Sequence, residues 1–150
     1  MRREAHSYRS DPAVPAFADD QPVFLFDGDC VLCSANARFV LKRDRSRRIR
    51  LAPAQSPLGL ALYRHYGLDT ATFETNILLV DGVAWFKSDV AIRVARLLGF
   101  PWSLAGLAAL IPHSLRDGAY DLLARNRFRL FGRRRVCYLA EPGFEGRFLS

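Results

Sequence analysis

The segment VFLFDGDCVLC, residues 23–33, joins a short apolar run to a Cys-x-x-Cys pair. The run Gln21 to Phe26 ends at the turn-forming Asp27-Gly28, which indicates a buried strand. From Leu32 onward, apolar or small residues recur at three- and four-residue intervals, which predicts a helix. Cys30 and Cys33 are therefore expected where a strand gives way to the N-terminus of a helix.

This position suits thiol chemistry. The unpaired N–H groups and the macrodipole at a helix N-terminus favour a thiolate at Cys30, which is the species that attacks a disulfide. Cys33, three residues later, lies on nearly the same helical face and can resolve a mixed disulfide formed at Cys30. Two carboxylates complicate the electrostatics. Asp27 and Asp29 oppose thiolate formation; either Asp27 accepts a proton from Cys33 during resolution, or both aspartates cap the turn and the helix.

The rest of the chain predicts alternating strands and helices. Strands are expected at Arg48–Ala52, Asn76–Val80 and Val83–Phe86, the last two forming a hairpin through Asp81-Gly82; helices are expected from Ser56-Pro57 to about Tyr66 and from a Ser88 cap to Gly99. The order β-α-β-α-β-β-α, with Cys-x-x-Cys at the first strand-to-helix junction, is the thioredoxin arrangement of an α/β fold. A C-terminal helical extension follows, with a helix capped by Ser114 and Asp117 and an apolar stripe of Leu115, Ala119, Leu122 and Leu123.

Length and composition suit a single domain. The 150 residues are 50% hydrophobic and 25% charged, enough for one core without disulfide staples. We expect residues 1–20 to be a disordered tail and residues 21–150 to form the domain. Three cysteines, two of them in one tight pair, indicate a reducing compartment, and we expect a cytoplasmic protein. The longest apolar stretch, Phe100 to Ile111, is too short for a transmembrane segment.

The charge is strongly positive. The net charge is +7, and six arginines lie in the region Arg125–Arg135. We interpret this basic region as a solvated helix end and expect no specific nucleic-acid partner, because the region has no stacking pattern of an RNA-binding motif. The histidines His65 and His113 stand alone in the sequence and are interpreted as structural.

Two other functions use the same residues. Asp27-x-Asp29 after an apolar strand resembles the first motif of haloacid-dehalogenase-type phosphatases. That family also needs a lysine and then an acidic pair at the end of a further strand, but only Ser88 separates Lys87 from Asp89, which leaves no room for that strand. Cys30 and Cys33 could form one of the two closely spaced ligand pairs of a zinc site. The other two ligands would have to be Cys137 and His113. An isolated cysteine such as Cys137 is more often a small buried hydrophobe.

The chain resembles the DCC thiol–disulfide oxidoreductase family. The resemblance covers residues from about 22 to 138 and is carried by three motifs: FDGDCVLC at 26–33, LLG at 97–99 and ARNRFRLFG at 124–132, with Cys137 shortly after. It implies a thioredoxin-like fold and protein-disulfide reductase activity, with Cys30 and Cys33 as the redox pair. This chemistry needs a protein or small-molecule disulfide as substrate and a separate thiol reductant for recycling, and it requires no metal or organic cofactor.

Overall fold

The computed structural model describes residues 5–133 and 145–149. The main elements, in chain order, are β1 (Val23–Phe26), α1 (Val31–Arg43), β2 (Arg50–Pro53), α2 (Pro57–His65), β3 (Ile77–Val80), β4 (Val83–Phe86), α3 (Ser88–Leu98) and α4 (His113–Phe131). Short 3₁₀ helices cover Ser7–Ser10, Trp102–Leu110 and Glu145–Arg147. The predicted element order is confirmed, and the largest shifts are in β1 and β2, each of which begins two residues later than expected.

The four strands form one mixed sheet in the order β2-β1-β3-β4. β1 pairs with β2 in parallel, Val23 opposite Arg50, and with β3 in antiparallel, Val23 opposite Leu79. A parallel neighbour requires a crossover, which α1 supplies, whereas β3 and β4 are joined directly by a tight turn. This is the thioredoxin-like topology predicted from the element order.

Apolar cores cover both faces of the sheet. Because successive strand residues point to opposite faces, Val23 and Leu25 pack with α2, while Phe24 and Phe26 pack with α1 and α3. All four side chains are buried. The sheet is therefore sandwiched between helices, and the carboxyl end of β1 delivers residues 27–30 to the start of α1.

The N-terminal segment differs from the expected disordered tail. Residues 5–20 lie against the α2 side of the sheet, and Tyr8 is buried in that core. His65 joins the segment to α2: its Nε2 lies 2.8 Å from Ser7 Oγ and its Nδ1 lies 2.7 Å from Asp11 Oδ2. The aromatic Tyr8 gives this segment apolar surface to bury. His65 has the structural role expected of it.

The helix caps were predicted with mixed success. Ser56 caps α2 by accepting a hydrogen bond from the Gly59 N–H at 3.0 Å, as expected. The Ser88 cap is wrong: Lys87 occupies the cap position of α3, and the Ser88 hydroxyl instead donates to Asp117. The Ser114–Asp117 cap is also wrong, because α4 begins at His113 after Pro112 and has no side-chain cap.

The apolar stripe of α4 does not pack inward as its spacing suggested. Leu115, Leu122 and Leu123 are exposed, whereas the buried residues of α4 are Ala124 and Arg127. No helix in the described part of the chain is long and apolar enough to cross a bilayer.

Candidate functional site

The two cysteines lie at the start of α1, where the sequence placed them. Cys30 is the N-cap residue, and its Sγ accepts a hydrogen bond from the Cys33 N–H at 3.3 Å. The Cys30 carbonyl accepts from the Ser34 N–H at 2.9 Å, which begins the helix. Cys30 Sγ therefore takes the place of the oxygen that caps most helices and faces the positive end of the helix dipole.

The thiols of Cys30 and Cys33 form a coupled pair. A hydrogen bond from the Cys33 thiol is the main cause that lowers the pKa of Cys30 to about 6, helped by the Cys33 backbone N–H and the positive charge of Arg127. Burial and the charge of Asp27 act in the opposite direction. The same thiol–thiol hydrogen bond, with burial, raises the pKa of Cys33. Both shifts act in the same sense: they favour the thiolate at Cys30 and the protonated thiol at Cys33.

A buried ion pair lies near this pair of thiols, and its arginine lines the same small cavity as Cys33. Arg127 Nη2 of α4 donates to Asp27 Oδ2 at the end of β1 over 3.0 Å, and the two side chains are only 3% and 2% exposed. The guanidinium also donates to the carbonyls of Thr72 and Ala124. A buried carboxylate near a thiolate would by itself disfavour the thiolate, and Arg127 neutralises it.

Gln55 completes the hydrogen bonds of the Asp27 carboxylate. Its Nε2 donates to Asp27 Oδ1 at 2.6 Å, and its Oε1 accepts from the Gly28 N–H at 3.0 Å. The Asp29 N–H also donates to Asp27 Oδ1, at 2.9 Å, which closes a turn before the cysteines. Asp27 is thus held by three donors. The Asp29 side chain is half-buried, and the structure assigns it no hydrogen bond or ion pair within residues 5–133 and 145–149.

Both cysteines are buried, and Cys30 more completely. Cys30 has no exposed surface and Cys33 is 7% exposed. The end of α4 covers Cys30: Arg133 forms an isolated antiparallel bridge with Cys30, and the Gly132 carbonyl accepts from the Val31 N–H at 3.5 Å. We call Gly132 and Arg133 the cover. Cys33 instead lines a small cavity of about 60 Å³.

The described geometry agrees with what comparison with known proteins finds. The family model for DCC1-like thiol–disulfide oxidoreductases matches residues 24–133. The chain belongs to this family. That match spans the strand before the cysteines, the cysteines themselves, Arg127 and the cover. Membership in the DCC1-like family supports a thiol–disulfide oxidoreductase role for the chain.

Two relatives extend the match along most of the chain. One is the Bacillus subtilis (strain 168) protein called "Uncharacterized protein YuxK", 39% identical over 127 residues, which are 85% of this chain and 93% of the relative. Another is the Arabidopsis thaliana "DCC family protein At1g52590, chloroplastic", 32% identical over 140 residues, which are 93% of this chain and 81% of the relative. No solved structure matches the chain.

The basic region Arg125–Arg135 was interpreted as solvated, and for Arg127 that interpretation is wrong. Arg127 lies on the inward face of α4, where Asp27 offers a buried counter-charge. Gln55 was also missed, because a lone glutamine after a strand carries no sequence signal. Arg125, Arg129 and Arg133 lie in the described part of the chain, and all three are exposed as expected. Arg134 and Arg135 lie outside the described residues.

The described geometry disfavours both alternative functions, for different reasons. His113, proposed as a fourth zinc ligand, lies 3.4 Å from Asp89 and 3.3 Å from Asp117, in the wall of a cavity of about 510 Å³ that the cysteines do not line. Cys137 lies outside the described residues. For the phosphatase, the nucleophile Asp27 would have to be reachable, yet three donors occupy its oxygens in a buried position.

Proposed function

We propose that this member of the DCC1-like family is a thiol–disulfide oxidoreductase of the protein-disulfide reductase type, working through Cys30 and Cys33. The observation that carries the proposal is the position of both cysteines at the N-terminus of α1, where Cys30 Sγ accepts a hydrogen bond from the Cys33 N–H over 3.3 Å. In this arrangement the pKa of Cys30 is lowered and that of Cys33 is raised. This unequal pair supplies a nucleophile and a protonated resolving thiol in one place.

The reaction proceeds in two exchanges. The Cys30 thiolate attacks one sulfur of a substrate disulfide, a Cys30–substrate disulfide forms, and the other substrate sulfur leaves as a thiolate. Cys33 then attacks Cys30 Sγ and breaks the Cys30–substrate disulfide, and its proton passes to the substrate sulfur that had been bonded to Cys30 as that sulfur leaves. The substrate gains two electrons, and Cys30 and Cys33 become a disulfide. A separate thiol reductant returns them to the dithiol, and no metal or organic cofactor takes part.

The two aspartates act in this proposal through position rather than through proton transfer. Three donors already occupy the two carboxylate oxygens of Asp27, and the Cys33 thiol is not among them. Its role is to hold Arg127 beside the thiols. Asp29 contributes its backbone N–H to the turn that presents Cys30.

Substrate access requires the cover to move. Cys30 is sealed by the end of α4, whereas attack on a disulfide needs the sulfur in line with the bond that breaks. Displacing Gly132 and Arg133 exposes Cys30 without disturbing the helix start that lowers its pKa. We place the protein in a reducing compartment, the cytoplasm, where the dithiol form persists between turnovers.

A trapping experiment tests the proposal. Cys33→Ser removes the resolving thiol, so incubation with a cell extract or with oxidised insulin should accumulate a mixed disulfide at Cys30, found by non-reducing electrophoresis and mass spectrometry. The matched control is Cys30→Ser/Cys33→Ser, which should trap nothing. The unmodified protein should reduce insulin disulfides with a dithiol reductant present. No adduct at Cys30 together with no insulin reduction would refute the proposal.

A further inference from the structure

A candidate binding surface lies away from the thiols, in the segment between α3 and α4. Residues 97–112 contain no Asp, Glu, Lys or Arg. Five large apolar side chains of this segment point outward: Phe100, Leu104, Leu107, Leu110 and Ile111, with Phe100 81% and Leu110 84% exposed. The 3₁₀ helix Trp102–Leu110 packs along α3, so its outer side is left to solvent. We call these five side chains the apolar patch.

Arginines from three different helices contact this segment. The Arg43 guanidinium of α1 lies 5.4 Å from the centre of the Trp102 ring, and the Arg96 side chain of α3 lies against Gly106. Arg116 of α4 donates to the Ile111 carbonyl over 3.1 Å, although it also pairs with Asp89. Within the described part of the chain, neither Arg43 nor Arg96 has a carboxylate partner. The apolar patch is therefore bordered by uncompensated positive charge.

We propose that the apolar patch and its arginines bind the surface of an anionic phospholipid bilayer. Apolar and aromatic side chains without charge among them enter the boundary between headgroups and acyl chains, and cations at their edge meet lipid phosphates. Arginine suits this role because its guanidinium pairs with phosphate through two hydrogen bonds. The net charge of +7 favours the same approach.

The same charges argue against a second copy of the chain as the occupant. In a two-fold dimer the patch would face itself, and Arg43 and Arg96 of one copy would be close to those of the other. Like charges brought together at an interface disfavour association. A bilayer with anionic headgroups supplies the counter-charge instead.

Membrane binding would leave the thiol site free. Cys30 is the N-cap of α1 and Arg43 is its last residue, so the 13-residue helix places them about 20 Å apart. The proposal therefore stands independently of the thiol–disulfide chemistry.

Vesicle sedimentation tests the proposal with the full-length protein. Binding should be strong to phosphatidylcholine vesicles that contain phosphatidylglycerol, weak to pure phosphatidylcholine, and reduced by added salt. Arg43→Gln/Arg96→Gln should weaken binding roughly 30-fold, since each cation near an anionic surface contributes about 1 kcal/mol. Phe100→Ser/Leu110→Ser should weaken it at least about tenfold.

The matched control is Arg129→Gln/Leu130→Ser, which changes one exposed arginine and one exposed leucine near the other end of α4. It should bind vesicles like the unmodified protein. Circular dichroism should show unchanged folding in all three variants, because every altered side chain is exposed. Equal binding to both kinds of vesicle, no binding to either, or a lipid-free dimer abolished by Phe100→Ser/Leu110→Ser would each overturn the proposal.

Discussion

Replacing Arg127 with methionine should destabilise the fold and make Cys30 less acidic. Arg127 and Asp27 are 3.0 Å apart and almost completely buried, so the substitution leaves a buried carboxylate without its cation. Removing one partner of such a pair typically costs about 3 to 5 kcal/mol. Asp27 keeps its hydrogen bonds from Gln55 and Asp29, which places our expectation at the lower end, about 3 kcal/mol. For a chain of this size that is a fall of roughly 6–12 °C in Tm.

The pKa of Cys30 gives a second test of the ion pair, because replacing Arg127 and replacing Asp27 should shift that pKa in opposite directions. The positive charge of Arg127 lowers the pKa of Cys30 and the negative charge of Asp27 raises it. Arg127→Met should therefore move that pKa upward from about 6, and Asp27→Asn should move it downward. The ultraviolet absorbance of the thiolate, titrated in a Cys137→Ser background, measures both shifts.

A double-mutant cycle measures the interaction energy between Arg127 and Asp27 apart from the contacts that each makes with other residues. Urea unfolding of Arg127→Met, Asp27→Asn and the double variant should show that the double variant is more stable than the sum of the single losses predicts, because it leaves no buried charge unpaired. Arg129→Met, two residues along the same helix and exposed, is the control and should change stability by less than about 0.5 kcal/mol. If Arg127→Met matches that control, or if the pKa of Cys30 stays unchanged in both single variants, the assigned role of the ion pair is refuted.

Three further outcomes are expected. The alkylation rate of Cys30 should rise with pH through a midpoint near 6, measured by mass spectrometry after iodoacetamide pulses; a midpoint near that of a free thiol would contradict the lowered pKa. Gly132→Ala should speed that alkylation. Gly132 has φ of 86° and ψ of 176°, which are accessible almost only to glycine, so alanine disfavours the conformation in which the cover lies over Cys30. Gly99→Ala, with similar angles at the end of α3, is the control and should leave the alkylation rate unchanged. Ser56→Ala should lower the free energy of unfolding in urea by about 1 kcal/mol, because it removes the cap of α2. A decrease below about 0.3 kcal/mol would contradict this expectation.

The sheet and its helices could be predicted because each left a local signal. β1 is a short apolar run that ends before the turn residues Asp27-Gly28, and Ser56-Pro57 predicts the start of α2. Local signals of this kind arise from backbone hydrogen bonding and turn geometry, which depend on neighbours along the chain. The cysteines were placed correctly for the same reason.

The contacts that surround the thiols could not be predicted because they join distant segments. Arg127 lies 100 residues from Asp27, within a run of arginines that have the same sequence pattern but face solvent. Only the rotation of α4 about its axis decides which arginine turns inward. The leucines of α4 form an apolar stripe in the sequence, yet the helix turns Arg127 and Ala124 inward instead.

The position of α4 contributes both to the acidity of Cys30 and to its concealment. The ion pair with Asp27 fixes α4 at Arg127, and five residues later the helix ends at Gly132 over Cys30. That distance is about 7.5 Å along the axis, so the end of the helix can lift at Gly132 while Arg127 remains in place. Cys30 would then become reachable with its lowered pKa intact. In the proposed reaction, a cover that lies beyond the ion pair would let the buried Cys30 thiolate become reachable as a nucleophile without breaking the contact between Arg127 and Asp27.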